Sequence, residues 1–264
     1  MKRKKYSLVL FACLGLLLIN SCGNGEYEGK MVANQIGVVV DDLASGKQLM
    51  ELYGYGTIYD PRFDTELRKD SCYLINFNID TLSSENSPAS VDANGYKTVR
   101  MLDVIPIDRG VIRELPASDT ALVYENEQLI ANPIGASYAY HDRGRLILFT
   151  SYRKYPEQAS NWILSYDPEN RMSDTNGKSL YTLYLRSTIE WLQKDPNDST
   201  RTLTAVSPNA FDIKSFMDQI ETDEAAKGRS EFYFNIRYLS AAKVENDTLR
   251  LTWSTTDSLL FRVK

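Results

Sequence analysis

His141 is the only histidine in the chain, so a Ser-His-Asp nucleophile or a histidine-based metal site would have to be built on it. No serine stands in a Gly-x-Ser-x-Gly turn and no glycine-rich loop has the phosphate-cradling spacing. In Tyr138-Ala139-Tyr140-His141-Asp142 the histidine reads as a strand-end residue. Carboxylates fall in pairs at Asp41 and Asp42 and at Asp60 and Asp64; two such groups are what a glycoside hydrolase uses as acid and base, while turn capping asks less of them. Asp167, Glu169 and Asn170, or Asp174 and Asn176, offer oxygen ligands on loops, without the twelve-residue spacing and closing glutamate of a calcium loop. No metal, no cofactor and no catalytic set is expected. What does gather is aromatic and basic: Tyr138, Tyr140, Arg143, Arg145, Tyr152, Arg153, Tyr155 and Trp162. Tyr and Trp stack on sugar rings and peptides, and the planar guanidinium of Arg bonds to them in pairs. Tyr138, Tyr140, Arg143, Tyr152, Arg153 and Trp162 are therefore the candidate ligand residues, although tyrosines are also common on sheets for packing reasons alone.

The start of the chain says where such a site would be held. Lys2, Arg3, Lys4 and Lys5 precede the uncharged, largely apolar run Leu8 to Ile19, and Asn20-Ser21-Cys22 follow. Basic, apolar and small residues in that order form a secretory signal. The run is too short for a membrane-spanning helix, which needs about 20 apolar residues. Ile19-Asn20-Ser21-Cys22 resembles a bacterial lipoprotein signal, which implies lipidation of Cys22 and cleavage before it; two or three acyl chains give stable anchoring. Cleavage there removes 21 of the 264 residues and leaves 243. Loss of the four basic residues takes the formal charge from −5 to −9, which leaves no broad footprint for nucleic acid. The expected location is the outer membrane, with the lipid as the membrane contact. Cys72 is then without a disulfide partner, and its apolar setting in Ser71-Cys72-Tyr73-Leu74-Ile75 predicts a buried, inert thiol.

The elements that must position any site are strands. Ile36 to Val40 is a β-branched run closed by Asp41-Asp42, and Lys47 to Tyr53 reads as its return. In Ser71 to Asp80, Tyr73, Ile75, Phe77 and Ile79 alternate with Leu74, Asn76, Asn78 and Asp80, which puts the first set toward a core. Ser83 to Asp92 reads as a polar loop and Tyr96 to Ile107 as one long extended run. Short strands without a convincing helix predict a small OB-like barrel. In the second half, Arg145 to Tyr152 contains the continuous run Leu146 to Phe149, expected to be covered on both faces. Glu231 to Leu239 alternates, and Leu249 to Trp253 and Leu259 to Val263 complete a meander of sandwich type. Phe211, Phe216, Met217 and Ile220 predict the one amphipathic helix, with Asn209 as its cap. The expected organisation is all-β: a signal at 1–21, a tether at 22–31, an OB-like barrel at 32–115, a linker at 116–126, and a β-sandwich with one short helix at 127–264.

Gly37-Val38-Val39-Val40, Tyr73 to Ile79 and Tyr96 to Ile107 look like the N-terminal domain of NigD-like lipoproteins, anchored proteins of Bacteroidetes. The resemblance implies an N-terminal barrel, a C-terminal sandwich and an envelope location, and brings no catalytic residues. The chain departs from it in lacking an aspartate run after Cys22, and Leu249-Arg250-Leu251-Thr252 stands where such chains carry Leu-Arg-His-Asn. Asp80-Thr81-Leu82, Asp119-Thr120-Ala121, Asp198-Ser199-Thr200, Asp247-Thr248-Leu249 and Asp257-Ser258-Leu259 resemble the three-residue O-glycosylation acceptor of Bacteroidetes, which makes Thr81, Thr120, Ser199, Thr248 and Ser258 candidate acceptors; Asp-Ser and Asp-Thr are also plain turn dipeptides. The leading expectation is a lipid-anchored, non-enzymatic protein that binds a glycan or an envelope protein. The alternatives are a fimbrillin-like structural subunit, donating Leu259 to Val263 to a neighbour, and a carboxylate-based glycoside hydrolase.

Overall fold

The computed structural model describes residues 29–116, 122, 124, 126–134, 139–155, 158–169, 171–175, 177–191 and 202–263. Cys22, Thr120, Tyr138 and Ser199 lie outside the described residues. The first half forms β1 (Gly29–Asp42), β2 (Lys47–Leu52), β3 (Gly56–Tyr59), α1 (Phe63–Glu66), β4 (Cys72–Asp80), α2 (Pro88–Asn94), β5 (Lys97–Thr98) and β6 (Arg100–Pro106). One sheet holds its strands in the order β5-β3-β2-β1-β4-β6. The period of two in β4 acts as expected: Tyr73, Ile75, Phe77 and Ile79 are buried and meet Val39, Met50, Ile58 and Phe63 in a common core. Asp60 locks this core at its edge. Its carboxylate accepts from Met101 N at 2.6 Å and from Arg62 N at 2.9 Å.

Two segments differ from the sequence expectation. The strand expected over Tyr96 to Ile107 is broken where Val99 N turns to Tyr59 O at 2.9 Å. The loop expected over Ser83 to Asp92 contains α2: Ser87 Oγ accepts from Ser90 N, Pro88 opens the helix and Gly95, at φ 76°, ends it. Ser-Pro at the start and Asn-Gly at the stop are helix signals, outweighed in a purely local reading by the polar composition. β1 begins at Gly29 and pairs there with Asp80, so the last residues of the stretch read as tether are in the sheet.

The second half continues with β7 (Asp108–Val111), β8 (Arg113–Glu114), β9 (Ile130–Asn132), β10 (Ala139–Asp142), β11 (Arg145–Lys154), β12 (Gln158–Tyr166), β13 (Met172–Thr175), β14 (Lys178–Trp191), β15 (Leu203–Asp212), α3 (Lys214–Ala226), β16 (Glu231–Glu245), β17 (Thr248–Thr255) and β18 (Leu259–Arg262). One sheet runs β10-β11-β15-β7 with β9 also on β11; the other runs β17-β16-β14-β12-β8 with β13 on β14 and β18 on β16. Leu146, Leu148 and Phe211 of the first meet Leu164, Leu183, Phe232 and Phe234 of the second, and Phe216, Met217 and Ile220 of α3 close the end. β7 pairs with β15 in one sheet and β8 with β12 in the other, so the chain leaving the first half stitches the sandwich together. The helix begins later than expected. Phe211 ends β15, and Asn209 is buried in that strand, accepting from Arg109 Nε at 2.8 Å and donating to Thr150 Oγ1 at 3.3 Å, so it is not a cap.

Candidate functional site: a cleft where the two halves meet

The outer face of β1 and β4 is apolar at one end. Ile36, Val38 and Cys72, with Ile107 after β6, pack against Ile147 of β11 and Ala210 of β15, flanked by Leu74 and Phe149. This is why Leu146 to Leu148 is a continuous apolar run: Leu146 and Leu148 fill the sandwich, while Ile147 faces the first half, all at 1% exposure or less. Polar ties surround the apolar contact. Arg145 pairs with Asp212 at 3.0 Å and Asp108 at 3.7 Å and donates to Asp70 O. Arg143, at the tip of the β10–β11 hairpin, pairs with Glu51 of β2. The tip needs two left-handed residues, Arg143 at φ 50° and Gly144 at φ 78°, as a two-residue hairpin turn demands. A side chain at Gly144 would strike Lys214 Cβ at 2.7 Å.

Cys72 lies inside this contact and is fully buried. In a soluble chain starting at Gly23 it is the sole thiol. We expect its alkylation to be slow in the native protein and rapid in urea, since reagent reaches it only when the two halves part. Equal rates under both conditions would show that the contact is loose.

At one end of the contact lies a cleft of about 360 Å³. Its walls are the edge strand β10 (Ala139, His141) and the edge strand β18 (Leu259 to Arg262). Met217 and Glu221 of α3 lie beneath, and Tyr53, just after β2, overhangs from the first half. Tyr53 is half exposed. The His141 and Phe261 rings stand 5.9 Å apart. The cleft thus offers two aromatic side chains, an imidazole, a carboxylate at Glu221 and a guanidinium at Arg262. Concave sites that combine apolar walls with convergent polar groups form preferentially at domain junctions.

The residues singled out in the sequence are dispersed by the fold. Tyr152 and Trp162 are buried at 6% and 4% exposure, with rings 5.0 Å apart and edge to face in the sandwich core; strand alternation turns both inward, which corrects their reading as ligand residues. Arg143 is the tie to Glu51, and Arg145 is a clamp between the halves. Tyr140 is in β10, and its side chain is not among those described. Arg153 is exposed and lines a separate groove of about 410 Å³ with Tyr155, Leu129 and Gln128. There the polar floor is already engaged: Gln128 donates to Arg153 O at 2.6 Å and accepts from Ser160 and Ser187. Sequence reasoning missed Tyr53 and Phe261: Phe261 reaches His141 only through the packing of the two sandwich sheets, and Tyr53 reaches it only through the docking of the two halves.

The paired carboxylates have structural partners. Asp42 caps its turn through Ala44 N and Ser45 Oγ, Asp41 pairs with Lys69 at 2.7 Å, and Asp64 accepts from Gln48 N and Tyr59 Oη. Among the described residues no group of three or more His, Cys, Asp or Glu stands close enough to hold a metal ion, and no helix is long and apolar enough to cross a membrane. Thr81, Thr248 and Ser258 are all exposed.

Comparison with known proteins places the first half. Residues 29–105 match the family model described as the lipoprotein OB domain, so the N-terminal domain is of OB type, as expected. No curated protein matches the chain significantly. An uncharacterized protein of Parabacteroides merdae is similar in structure, with 19% identity and a TM-score of 0.67 over 88% of this chain and 100% of that one. A candidate lipoprotein of Bacteroides fragilis is 13% identical with a TM-score of 0.54, over 86% of this chain and 97% of that one. At these identities the likeness shows the fold, and it spans both halves. A NigD-like immunity protein of Bacteroides caccae is 10% identical with a TM-score of 0.48, over 91% of this chain and 100% of that one. The all-β reading holds on the structures with TM-scores of 0.67 and 0.54, and the resemblance of the first half to a lipoprotein domain holds on the family model.

Proposed function

We propose that this chain, whose N-terminal domain is a lipoprotein OB domain, is a non-enzymatic recognition protein of the cell envelope, anchored in the outer membrane through Cys22, and that it binds a short glycan in the cleft between its halves. The observation that carries the reading is the cleft itself: Tyr53 from one half and His141 and Phe261 from the other converge on one concave space, with Glu221 and Arg262 beside it. An aromatic ring supplies a stacking face for a sugar, and a carboxylate and a guanidinium supply acceptors and donors for its hydroxyls. The alternative of a donated C-terminal strand is less well supported, because β18 pairs with β16 of its own chain from Glu231 to Phe234. Exposure of Thr81, Thr248 and Ser258 suits the additional reading that the chain is O-glycosylated; an unchanged mass of protein from its native host would count against that.

The test is a glycan and peptide binding screen on soluble chain starting at Gly23, with Tyr53→Ala, Glu221→Gln and Arg153→Ala variants. A glycan ligand lost in the first two and kept in Arg153→Ala supports the cleft. Loss only in Arg153→Ala moves the site to the second groove, and a peptide as sole ligand replaces the glycan reading. No binding at all by a natively folded chain overturns the proposal.

A further inference from the structure

The β16–β17 hairpin runs on beyond the sandwich. From Ala242 to Arg250 every residue is exposed, so both faces of this two-stranded ribbon meet solvent over about 16 Å at the usual rise per residue. The ribbon is nonetheless well specified. Asn246 and Asp247, at φ 52° and 60°, form the left-handed two-residue turn that suits the strand twist. Its register pairs Ala242 with Leu251, Val244 with Leu249, Lys243 with Arg250 and Glu245 with Thr248. One face is therefore apolar (Ala242, Val244, Leu249, Leu251), and the other carries Lys243, Arg250 and Glu245, the last two bonded at 3.1 Å. Val244 is 72% and Leu249 46% exposed. A lone hairpin is marginal in water, and a third strand along its edge supplies the backbone pairing that it lacks.

β17 is also the end strand of its sheet, with no second neighbour among the described residues. The usual defences of a free edge are absent from it: Thr248 to Thr255 contains no proline, no lysine and one charge, Arg250. The bulge in this pair falls between Leu239 and Ala241 of β16, not on the edge strand.

We infer that β17 is a self-association edge and that its occupant is a second copy of this chain, paired antiparallel about a two-fold axis at Leu251. The argument is self-complementarity. In an antiparallel pair, opposite residues share a face, so the axis must pass through a residue. Centred on Leu251, the pairing sets Leu249 against Trp253 of the second copy and Leu251 against its own mate, all on the apolar face. Arg250 meets Thr252, so no like charges oppose one another. An axis at Arg250 would set arginine against arginine, and one at Thr252 would spend Leu249 on Thr255. The chosen register also lays each ribbon tip beside the root of the other, which gives both arms the third strand that they lack. Isologous pairing of this kind closes as a dimer and uses up the free edge of β17.

The test is sedimentation and light scattering on soluble chain starting at Gly23. A dimer is expected for the native sequence. Leu251→Lys, which places two ammonium groups on the axis, is expected to be monomeric with a native circular dichroism spectrum, and its melting temperature, unlike that of the native dimer, is expected not to vary with protein concentration. Leu251→Cys is expected to form an intermolecular disulfide on mild oxidation. Arg250→Cys is not, because its mate lies two residues along the strand. A monomeric native chain at its highest soluble concentration overturns the inference. So does a dimer that survives Leu251→Lys, or cross-linking that is equal at both cysteine positions.

Discussion

Glu224→Ala is expected to destabilise the protein by about 1–3 kcal/mol, the usual cost of leaving a buried hydrogen-bonding group without its partner. Glu224 lies in the last turn of α3 with its side chain fully buried. Its carboxylate accepts from Ser179 Oγ at 2.6 Å, from Tyr181 Oη at 2.7 Å and from Lys227 Nζ at 2.7 Å, and Arg229 stands 3.8 Å away. The group joins the helix to β14 and to the turn into β16. Truncation strands the buried hydroxyl of Tyr181 and takes one partner from Ser179, whose hydroxyl still accepts from Arg229, and unmade buried bonds cost more than made ones return. Urea unfolding of the variant should show a lower midpoint with an unchanged slope. A loss under 1 kcal/mol would mean that water replaces the carboxylate without penalty.

The same group makes stability depend on pH. Burial alone would raise its pKa, but the hydrogen bonds from Lys227, Ser179 and Tyr181 together outweigh burial and hold it below the ordinary glutamate value. A carboxyl depressed on folding contributes stability above its unfolded pKa, and that contribution is lost as pH falls through the folded value. The urea midpoint of the native chain should therefore fall below about pH 4 more steeply than that of Glu224→Gln, 4.3 being the usual unperturbed value. Parallel curves would remove Glu224 from the acid response. Asp60 acts in the same direction. Burial opposes its charge, and the hydrogen bonds from Arg62 and Met101 N prevail.

Ile147→Ala should cost about 2–5 kcal/mol, the range for emptying a fully buried large aliphatic side chain. Its consequence goes beyond the figure, because Ile147 faces the first half rather than the sandwich core. Around it, Ile36, Val38, Cys72, Ile107 and Ala210 are all buried at 8% exposure or less. Emptying this layer weakens the contact that makes the halves unfold together. Calorimetry should show one transition in the native chain and a broadened or split one in the variant. Alkylation of Cys72 should accelerate in parallel. A lowered melting temperature with native-like Cys72 protection would place the damage within the sandwich instead.

How far the sequence was legible follows from the range of each interaction. The alternation in β4 and in Phe232, Phe234 and Ile236 announced their inner faces directly, since period two is a local property of the strand. The run Leu146 to Leu148 announced two covered faces, without naming the second cover. Tyr152 and Trp162 were misread because an aromatic residue has the same local appearance whether it stacks on a ligand or on a neighbouring strand; only the sheet-on-sheet packing set their rings 5.0 Å apart inside the core. Arg143 reads locally as a ligand-binding charge, and Arg145 as a member of the same basic cluster, because their partners Glu51, Asp70 and Asp212 are remote in the chain. By itself the sequence determined the all-β composition and the buried thiol, each written in contiguous residues. The tertiary structure decided the docking of the halves, and with it the meeting of Tyr53, His141 and Phe261, because a cleft between two domains depends on which outer faces are apolar enough to join.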